Sequence, residues 1–281
     1  MGSTGLRLDQ WLVAHGYAET RHRAQWLIDT GQVWVRGQPC RKPALRVPDP
    51  CQVKICGVGL PYVSRGGLKL ERALQAFRID VAGLVALDIG ASTGGFTDCL
   101  LQRGAQRVYA LDVGTGQLAS RLRKDPRVIA LEGRNVRTFQ AAELPEAVGL
   151  ITIDVSFISL PLVLPLLPPL LRPCGRVVAL VKPQFEVGTQ HIGRGGIVRD
   201  RCCRDLALHR VMRSAEATGF HVLQVVGAPD LQAHGNQEVF IDLGWGAEQA
   251  MTAAGQQHIP TSHDPTLSLR APSGNDGGER G

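Results

Sequence analysis

The sequence predicts an α/β chain, with a mostly parallel sheet, one antiparallel strand and helices on both faces, preceded by a small separate α+β unit. Three observations carry this. Strand-length apolar runs alternate with helical spacing from residue 84 onward; a glycine-rich turn follows the first of those runs; and the last two runs, 221–227 and 237–243, have no helix between them, which calls for an antiparallel strand. With 281 residues, 44% hydrophobic and 20% charged, the chain can bury such a core and still leave room for a second domain.

In the small unit, Leu8, Leu12 and Val13 make one apolar helix face, and Thr20 is placed to cap a helix carrying Ala24, Leu27 and Ile28 that Gly31 ends. Val33 and Val35 alternate as a strand, Arg36-Gly37 turns the chain, and Val47 and Val53-Lys-Ile55 supply later strands. Gly57-Val-Gly-Leu-Pro61 reads as a connecting stretch, so the expected domains are 1–59 and 64–246 with a linker at 60–63. Leu70, Leu74 and Phe77 continue at helical spacing, placing Lys69 in the first turn of a helix. Strand 84–89, helix 95–103, strand 107–112, helix 116–123, strand 128–131, strand 150–155, a broken helix over 160–171, strand 176–181 and helix 200–218 follow. From 247 to 281 the composition is polar and aperiodic, and a disordered tail is expected.

Residues 7–12 (Arg7-Leu-Asp-x-x-Leu12), Gly16, Thr20-Arg21, Ala24, Leu27-Ile28, Gly31-Gln-Val33 and Val35-Arg-Gly37 resemble the αL RNA-binding module of a small-subunit ribosomal protein, pseudouridine synthases and tyrosyl-tRNA synthetases. The resemblance implies that Arg21, Arg23, Arg36, Arg41 and Lys42 meet phosphates; Arg7 and Arg65 join them as candidate RNA contacts. Such contacts hold RNA without reading its sequence. Charge agrees: residues 1–60 hold Arg7, Arg21, Arg23, Arg36, Arg41, Lys42, Arg46 and Lys54 against Asp9, Glu19, Asp29 and Asp49, most of a net +6.

The turn Asp88-Ile-Gly-Ala-Ser-Thr-Gly-Gly-Phe96 needs Gly90 and Gly94 for a sharp strand-to-helix reversal, and the helix start offers N–H groups to a ligand. Ser92 stands where a dinucleotide fingerprint would have its second glycine, which weakens a dinucleotide reading. Asp112, ending the next strand, suits a ribose hydroxyl pair. An acidic residue opening the loop and a second ending the next strand resemble the S-adenosylmethionine site of Rossmann-like methyltransferases. The candidate cofactor residues are therefore Asp88, Gly90, Ala91, Ser92, Thr93, Gly94, Gly95, Phe96 and Asp112. Asn135 is open between an adenine contact and a turn, and Phe157 between packing on the cofactor or nucleotide and the core.

Asp154 and Lys182 end strands at the carboxyl edge, where open α/β sheets bind ligands; Glu238 starts an antiparallel strand at that edge, and Lys69 completes the set. A hydroxyl is a poor nucleophile until relieved of its proton, and a lysine takes that proton only when neutral, which a neighbouring ammonium favours. Lys182 is thus expected as the base, Lys69 as the cation pressing on it, Asp154 as the group orienting a lysine, and Glu238 as the group placing the hydroxyl or the pair.

This quartet, with Ser64-Arg-Gly-Gly-Leu-Lys69, Gly90-Ala-Ser-Thr-Gly-Gly-Phe96, Asp154-Val-Ser-Phe-Ile-Ser159 and Val181-Lys-Pro-Gln-Phe-Glu-Val187, resembles the haemolysin A or TlyA family over residues 6–244. The resemblance implies an FtsJ-like methyltransferase domain behind the αL module, S-adenosylmethionine as cofactor, and methylation of cytidine 2′-oxygens in ribosomal RNA, with ribosomal subunits as partners. A non-catalytic RNA-binding assembly factor and a membrane-active haemolysin are the alternatives. The run Leu160-Pro-Leu-Val-Leu-Pro-Leu-Leu-Pro-Pro-Leu-Leu171 is too short and proline-rich to span a bilayer, and no secretory signal is read at the start, so a cytoplasmic protein without a membrane partner is expected. Seven cysteines without a C-x-x-C pair or a histidine at ligand spacing predict buried free thiols and no metal.

Overall fold

The computed structural model describes residues 5–18, 20–29, 31–56, 61–229 and 235–246. The expected tail at 247–281 and residue 60 of the expected linker lie outside the described residues.

The N-terminal unit runs β1 (Leu6–Arg7), α1 (Leu8–Ala14), α2 (Arg21–Asp29), β2 (Val33–Val35), β3 (Gln38–Pro39), β4 (Arg46–Val47) and β5 (Val53–Ile55). Thr20 Oγ1 accepts the Arg23 N–H, capping α2, and Gly31, at φ +75°, ends it as expected. Arg36 and Gly37 both take positive φ, the mirror-image turn that joins β2 to β3. Leu8, Trp11, Leu12, Leu27, Ile28 and Val33 are buried at the centre of this unit. Beneath its basic surface lies Asp9, fully buried, which accepts hydrogen bonds from Arg7, Arg21 and Gln25. Burial pushes its carboxyl up, but those three donors outweigh burial and hold it well below the usual carboxylate range.

The larger unit continues with α3 (Arg65–Ala76), β6 (Val85–Ile89), α4 (Gly95–Gln102), β7 (Arg107–Asp112), α5 (Ser120–Arg123), β8 (Val128–Glu132), β9 (Val148–Ile153), β10 (Leu171–Val181), α6 (Pro183–Glu186), α7 (Arg201–Ala217), β11 (Phe220–Gly227) and β12 (Val239–Trp245). One sheet orders these strands β11-β12-β10-β9-β6-β7-β8. Only β12 runs against its neighbours, slotted between β10 and β11, so the antiparallel strand sits inside the sheet. Buried residues of α3 and α4 pack on one face, and those of α7 and the 160–171 segment on the other.

Four expectations need correction. The helix expected at 116–123 is confined to Ser120–Arg123, because Gly116 takes positive φ and the Gly114 N–H bonds back to Asp112 Oδ1, holding the preceding residues in a loop. The broken helix over 160–171 is three successive 3₁₀ turns ending at Leu170, each with proline in its first two positions, where the missing N–H costs nothing but a longer helix cannot continue. Lys69 is the fifth residue of α3 and so lies in its second turn, beyond the reach of the helix N-terminal charge. Of the seven cysteines, none in a disulfide, only Cys99 is buried.

Glycines set how closely α3 can ride on α4. A Cβ at Gly95 would fall 3.0 Å from the Gly67 nitrogen, and one at Gly67 would fall 2.3 Å from the buried Tyr62 side chain. At Gly66 the nearest atom would be an ordinary 3.4 Å away. Gly67→Ala is therefore expected to lower stability by about 1–3 kcal/mol through overpacking, while Gly66→Ala leaves it unchanged or slightly raised; thermal melts of the two variants check the contrast.

Candidate active site

The glycine-rich loop is held from below. Asp88, on β6, is fully buried; Thr97 on α4 donates to its Oδ2 at 2.7 Å and Thr152 on β9 to its Oδ1 at 2.9 Å. Burial pushes this carboxyl up to about 7 against the pull of the two hydroxyls. Asp88 thus shapes the loop from beneath, with both carboxyl oxygens taken by hydroxyls. Gly90 takes φ +85°, and a Cβ there would lie 2.4 Å from the Asp154 carbonyl oxygen, so the loop and the end of β9 touch backbone to backbone. Ser92 is itself left-handed, at φ +48°, its N–H bonded to Asp112 Oδ2 at 2.8 Å. Gly94, Gly95 and Phe96 are buried, with Phe96 against Phe240, while Ser92 and Thr93 reach the surface.

The sheet register assembles the quartet. Ile89 pairs with Ile153, and the Asp154 N–H continues that ladder to the Ile89 carbonyl at 2.9 Å. Val181 pairs with Val239, so Lys182 and Glu238 leave the same end of adjoining strands. Lys69 comes in on α3 and pairs with Glu238 at 2.5 Å. Lys182 pairs with Asp154 Oδ1 at 2.7 Å, while its aligned hydrogen bond goes to Ser156 Oγ at 2.9 Å. Asp154 Oδ1 is buried and, despite that close ion pair, has no hydrogen bond of good geometry among the described residues. Each lysine thus has a carboxylate partner, Lys182 the Asp154 expected to orient a lysine and Lys69 the Glu238 of the neighbouring strand.

Glu186, absent from the expected site residues, ties the loop that follows Asp154 to the segment that follows Lys182. It is buried on α6, accepts from Ser159 Oγ at 2.6 Å and from the Leu160 N–H at 2.8 Å, and its own carbonyl accepts from Arg210 on α7. Burial pushes its carboxyl up, against those hydrogen bonds. Its signal was the Phe-Glu-Val end of a quoted motif, which names a residue type without naming a partner.

The other candidates disperse. Phe157 is 92% exposed, with positive φ, its ring 5.1 Å from Phe185, so it lies at the lip of the site and outside the core. Asn135 Oδ1 caps a turn by accepting the Arg137 N–H. Arg36, Arg41 and Lys42 are exposed on the N-terminal unit, Arg7 and Arg21 are fixed to Asp9, and Arg23 and Arg65 line a cleft of about 880 Å³ shared by both units. That cleft also holds Lys69, Asp154, Glu238 and the loop Gly90–Thr93. No group of side chains able to hold a metal ion occurs among the described residues.

The model of the FtsJ-like methyltransferases matches residues 62–245, and that of the S4 domain residues 6–51. The chain belongs to the TlyA, or haemolysin A, family of FtsJ-like methyltransferases. It is 44% identical over 250 residues to the 16S/23S rRNA (cytidine-2'-O)-methyltransferase TlyA of Mycobacterium tuberculosis, spanning 89% of this chain and 93% of that one. Hemolysin A of Brachyspira hyodysenteriae is 39% identical over 83% of this chain and 97% of its own. A solved structure described as a hemolysin from Streptococcus thermophilus superposes with a TM-score of 0.69 at 40% identity, covering 90% of this chain and 96% of that one. No helix among the described residues is long and apolar enough to cross a membrane.

Two predictions follow from the carboxylates that frame this TlyA-family site. Raised in the fold from an ordinary 3.8 to about 7, Asp88 adds stability at low pH that is lost as pH climbs through that window. Asp88→Asn should therefore gain on the wild type in melting temperature between about pH 4 and pH 7 and keep a constant offset above; parallel curves would contradict the buried proton. Glu186→Ala should cut turnover by about 10–100-fold through misplacement of the reacting groups, while Glu186→Gln restores most of it, since an amide can accept from Leu160 and donate to Ser159; steady-state kinetics of the two variants decide.

Proposed function

We propose that this chain methylates ribose 2′-hydroxyls of ribosomal RNA, with cytidine as the target and S-adenosylmethionine as methyl donor. The observation that carries the reading is the meeting of two lysine–carboxylate pairs with a glycine-rich strand-to-helix loop at one sheet edge, in a chain that also carries an S4 domain. The domain plan behind it is an RNA-docking unit over 1–59, a linker at 60–63 and a transferase unit over 64–246.

The loop suits the donor. Gly90 leaves no side chain in the way, Asp112 stands at the loop's open lip for a ribose diol, and Asp154 Oδ1 is a buried acceptor with negative charge beside the position a cationic donor would take. Gly90, Ala91, Ser92, Thr93, Gly94 and Gly95 would hold the donor together with Asp112, while Asp88 and Phe96 support them from beneath. S-adenosylmethionine supplies the methyl group from its sulfonium.

The chain's own residues do the rest. Lys182, in its neutral form after shedding its own proton to solvent, takes the proton of the 2′-hydroxyl as the new oxygen–carbon bond forms and the sulfur–carbon bond breaks; Asp154 and Ser156 fix its Nζ, and Asp154 stabilises the ammonium that results. The Lys69–Glu238 pair holds the ribose hydroxyls in line, an orientation that contributes rate by itself. Arg7, Arg21, Arg23, Arg36, Arg41, Lys42 and Arg65 meet RNA phosphates and set position more than sequence preference. Relatives that methylate cytidine 2′-oxygens support the choice of base and RNA.

The test is transfer of labelled methyl from S-adenosylmethionine to small and large ribosomal subunits from a strain lacking this gene. Alkali-resistant dinucleotides carrying the label are expected, and Lys182→Ala should reduce transfer by at least about 10²-fold with donor and RNA binding retained. Full transfer by the variant would remove Lys182 as the base, and no label on either subunit would favour an RNA-binding assembly factor.

A further inference from the structure

The cleft that holds Lys69, Asp154 and Glu238 has a second wall whose arginines have no part in the mechanism above. On α7, Arg201, Arg204, Asp205 and Leu208 are spaced three and four apart, so they share one helix face, and all four line the cleft. Ala207, Val211 and Ala215 turn the helix's other side into the core. Arg204 donates through Nη1 to the carbonyls of Val198 and Arg199, which aims its planar guanidinium; among the described residues that one nitrogen makes both contacts. Arg201 is 80% exposed, and its partner Asp205 stands 3.7 Å away at the surface, a pairing that contributes little.

Ahead of α7 the chain makes a tight turn, with Gly193 bridged to Ile197 and positive φ at Gly195 and Gly196. Asn236 pins the turn, donating to the Gly196 carbonyl at 2.9 Å and accepting the Val198 N–H at 2.8 Å. The pin matters because Asn236 lies two residues before Glu238: the wall and the ribose-holding pair are fixed by the same short segment. Across the cleft stand Arg65 and, from α2, Arg23, whose guanidinium lies 4.7 Å from the Trp26 ring centre. The floor acids Asp154 and Glu238 already have lysine partners. Each wall thus carries two arginines against one carboxylate, Asp205 beside Arg201 and Asp29 acting on Arg65, so both keep a positive excess with Lys69, Asp154 and Glu238 between them.

We propose that the Arg201–Arg204 face of α7 is a phosphate-binding wall, and that the target RNA enters as a single strand threaded between it and the Arg23–Arg65 side. The phosphodiesters flanking the target ribose then meet arginines on both sides, with the ribose over the quartet. The proposal rests on the RNA reading above and adds a route to it: the strand passes through the cleft between the two units and does not rest on the outer face of the S4 unit alone. Guanidinium groups match phosphate in shape and charge, and a cationic groove of this kind tracks a backbone without reading bases.

The experiment measures binding of the full chain to a single-stranded ribosomal RNA fragment over a range of salt, for wild type, the double variant Arg201→Ala/Arg204→Ala, and Arg213→Ala, which removes a charge from the same helix outside the cleft. Each phosphate contact contributes about 0.7 to the slope of log K against log salt for a single strand, so the double variant should lose about 1.4 and Arg213→Ala nothing. Its KM for RNA should rise more than its kcat falls, with donor affinity as in wild type. An unchanged slope and affinity in the double variant, or an equal loss in Arg213→Ala, overturns the wall. Methyl transfer by the wild type with an unchanged slope in the double variant overturns the wall alone. The expected slope change in a chain that transfers no methyl overturns the activity and keeps the wall.

Discussion

A carboxylate with no water around it must find its donors inside the protein, and Asp88 finds them on two separate elements, Thr97 of α4 and Thr152 of β9. Those bonds fix the helix that starts beneath the glycine loop and the strand that ends at Asp154 to the same point of β6. Because Gly90 then meets the Asp154 carbonyl backbone to backbone, the glycine-rich loop and Asp154 have no independent freedom. Burial raises the carboxyl to about 7, a strain on folding that a neutral side chain would avoid. Its retention makes sense as geometry: two acceptors at the right angle hold two elements at once.

The same economy of position governs the lysines. β12 enters the sheet antiparallel between β10 and β11, and this single reversal brings the start of one strand beside the end of another, so that Glu238 and Lys182 share an edge although 56 residues separate them. Each lysine then meets a carboxylate from a different element: Lys69 of α3 with Glu238, Lys182 with Asp154. Paired charges that stay partly exposed avoid the desolvation cost of lone ones. Their value here is direction, since an ammonium held at one side by Asp154 and Ser156 presents a fixed nitrogen to whatever lies over the loop.

How much of this was legible follows from the range of each interaction. Thr20, Gly31 and the Arg36-Gly37 turn act within a few residues, so the sequence announced them, and the strands of the sheet appeared as apolar runs for the same reason. The quartet was found because strand ends are readable and the fold class fixes which ends converge. Its pairing was not: whether Lys69 faces Lys182 or Glu238 depends on how closely α3 rides on α4, which Gly67 and Gly95 set through contacts with Tyr62 and Ser64. Proline spacing in 160–171 looked helical by its leucines, and only the loss of successive N–H donors turned it into 3₁₀ turns. Glu186 and Asn236 stayed hidden because a single polar residue in a loop carries no period, and its role exists only when two distant loops are side by side.

The distribution of arginines separates binding from chemistry. Arg36, Arg41 and Lys42 are exposed on the N-terminal unit, where they would attract any phosphate backbone and confer no position finer than the docking of that unit. Methyl transfer demands much more, since a nucleophile displaced by 1 Å forfeits about two orders of magnitude in rate. Precision of that kind cannot come from a basic patch on a separate unit joined through a short connection. It must come from contacts made on the rigid sheet itself, within a few residues of the reacting groups. The turn pinned by Asn236 and the first turns of α7 are built on that sheet, and they continue into the segment that carries Glu238. An RNA strand gripped there, as proposed, would be held by the same framework that holds Lys182, so the ribose and the proposed base would move together when the sheet moves, and the N-terminal unit would be left to supply affinity.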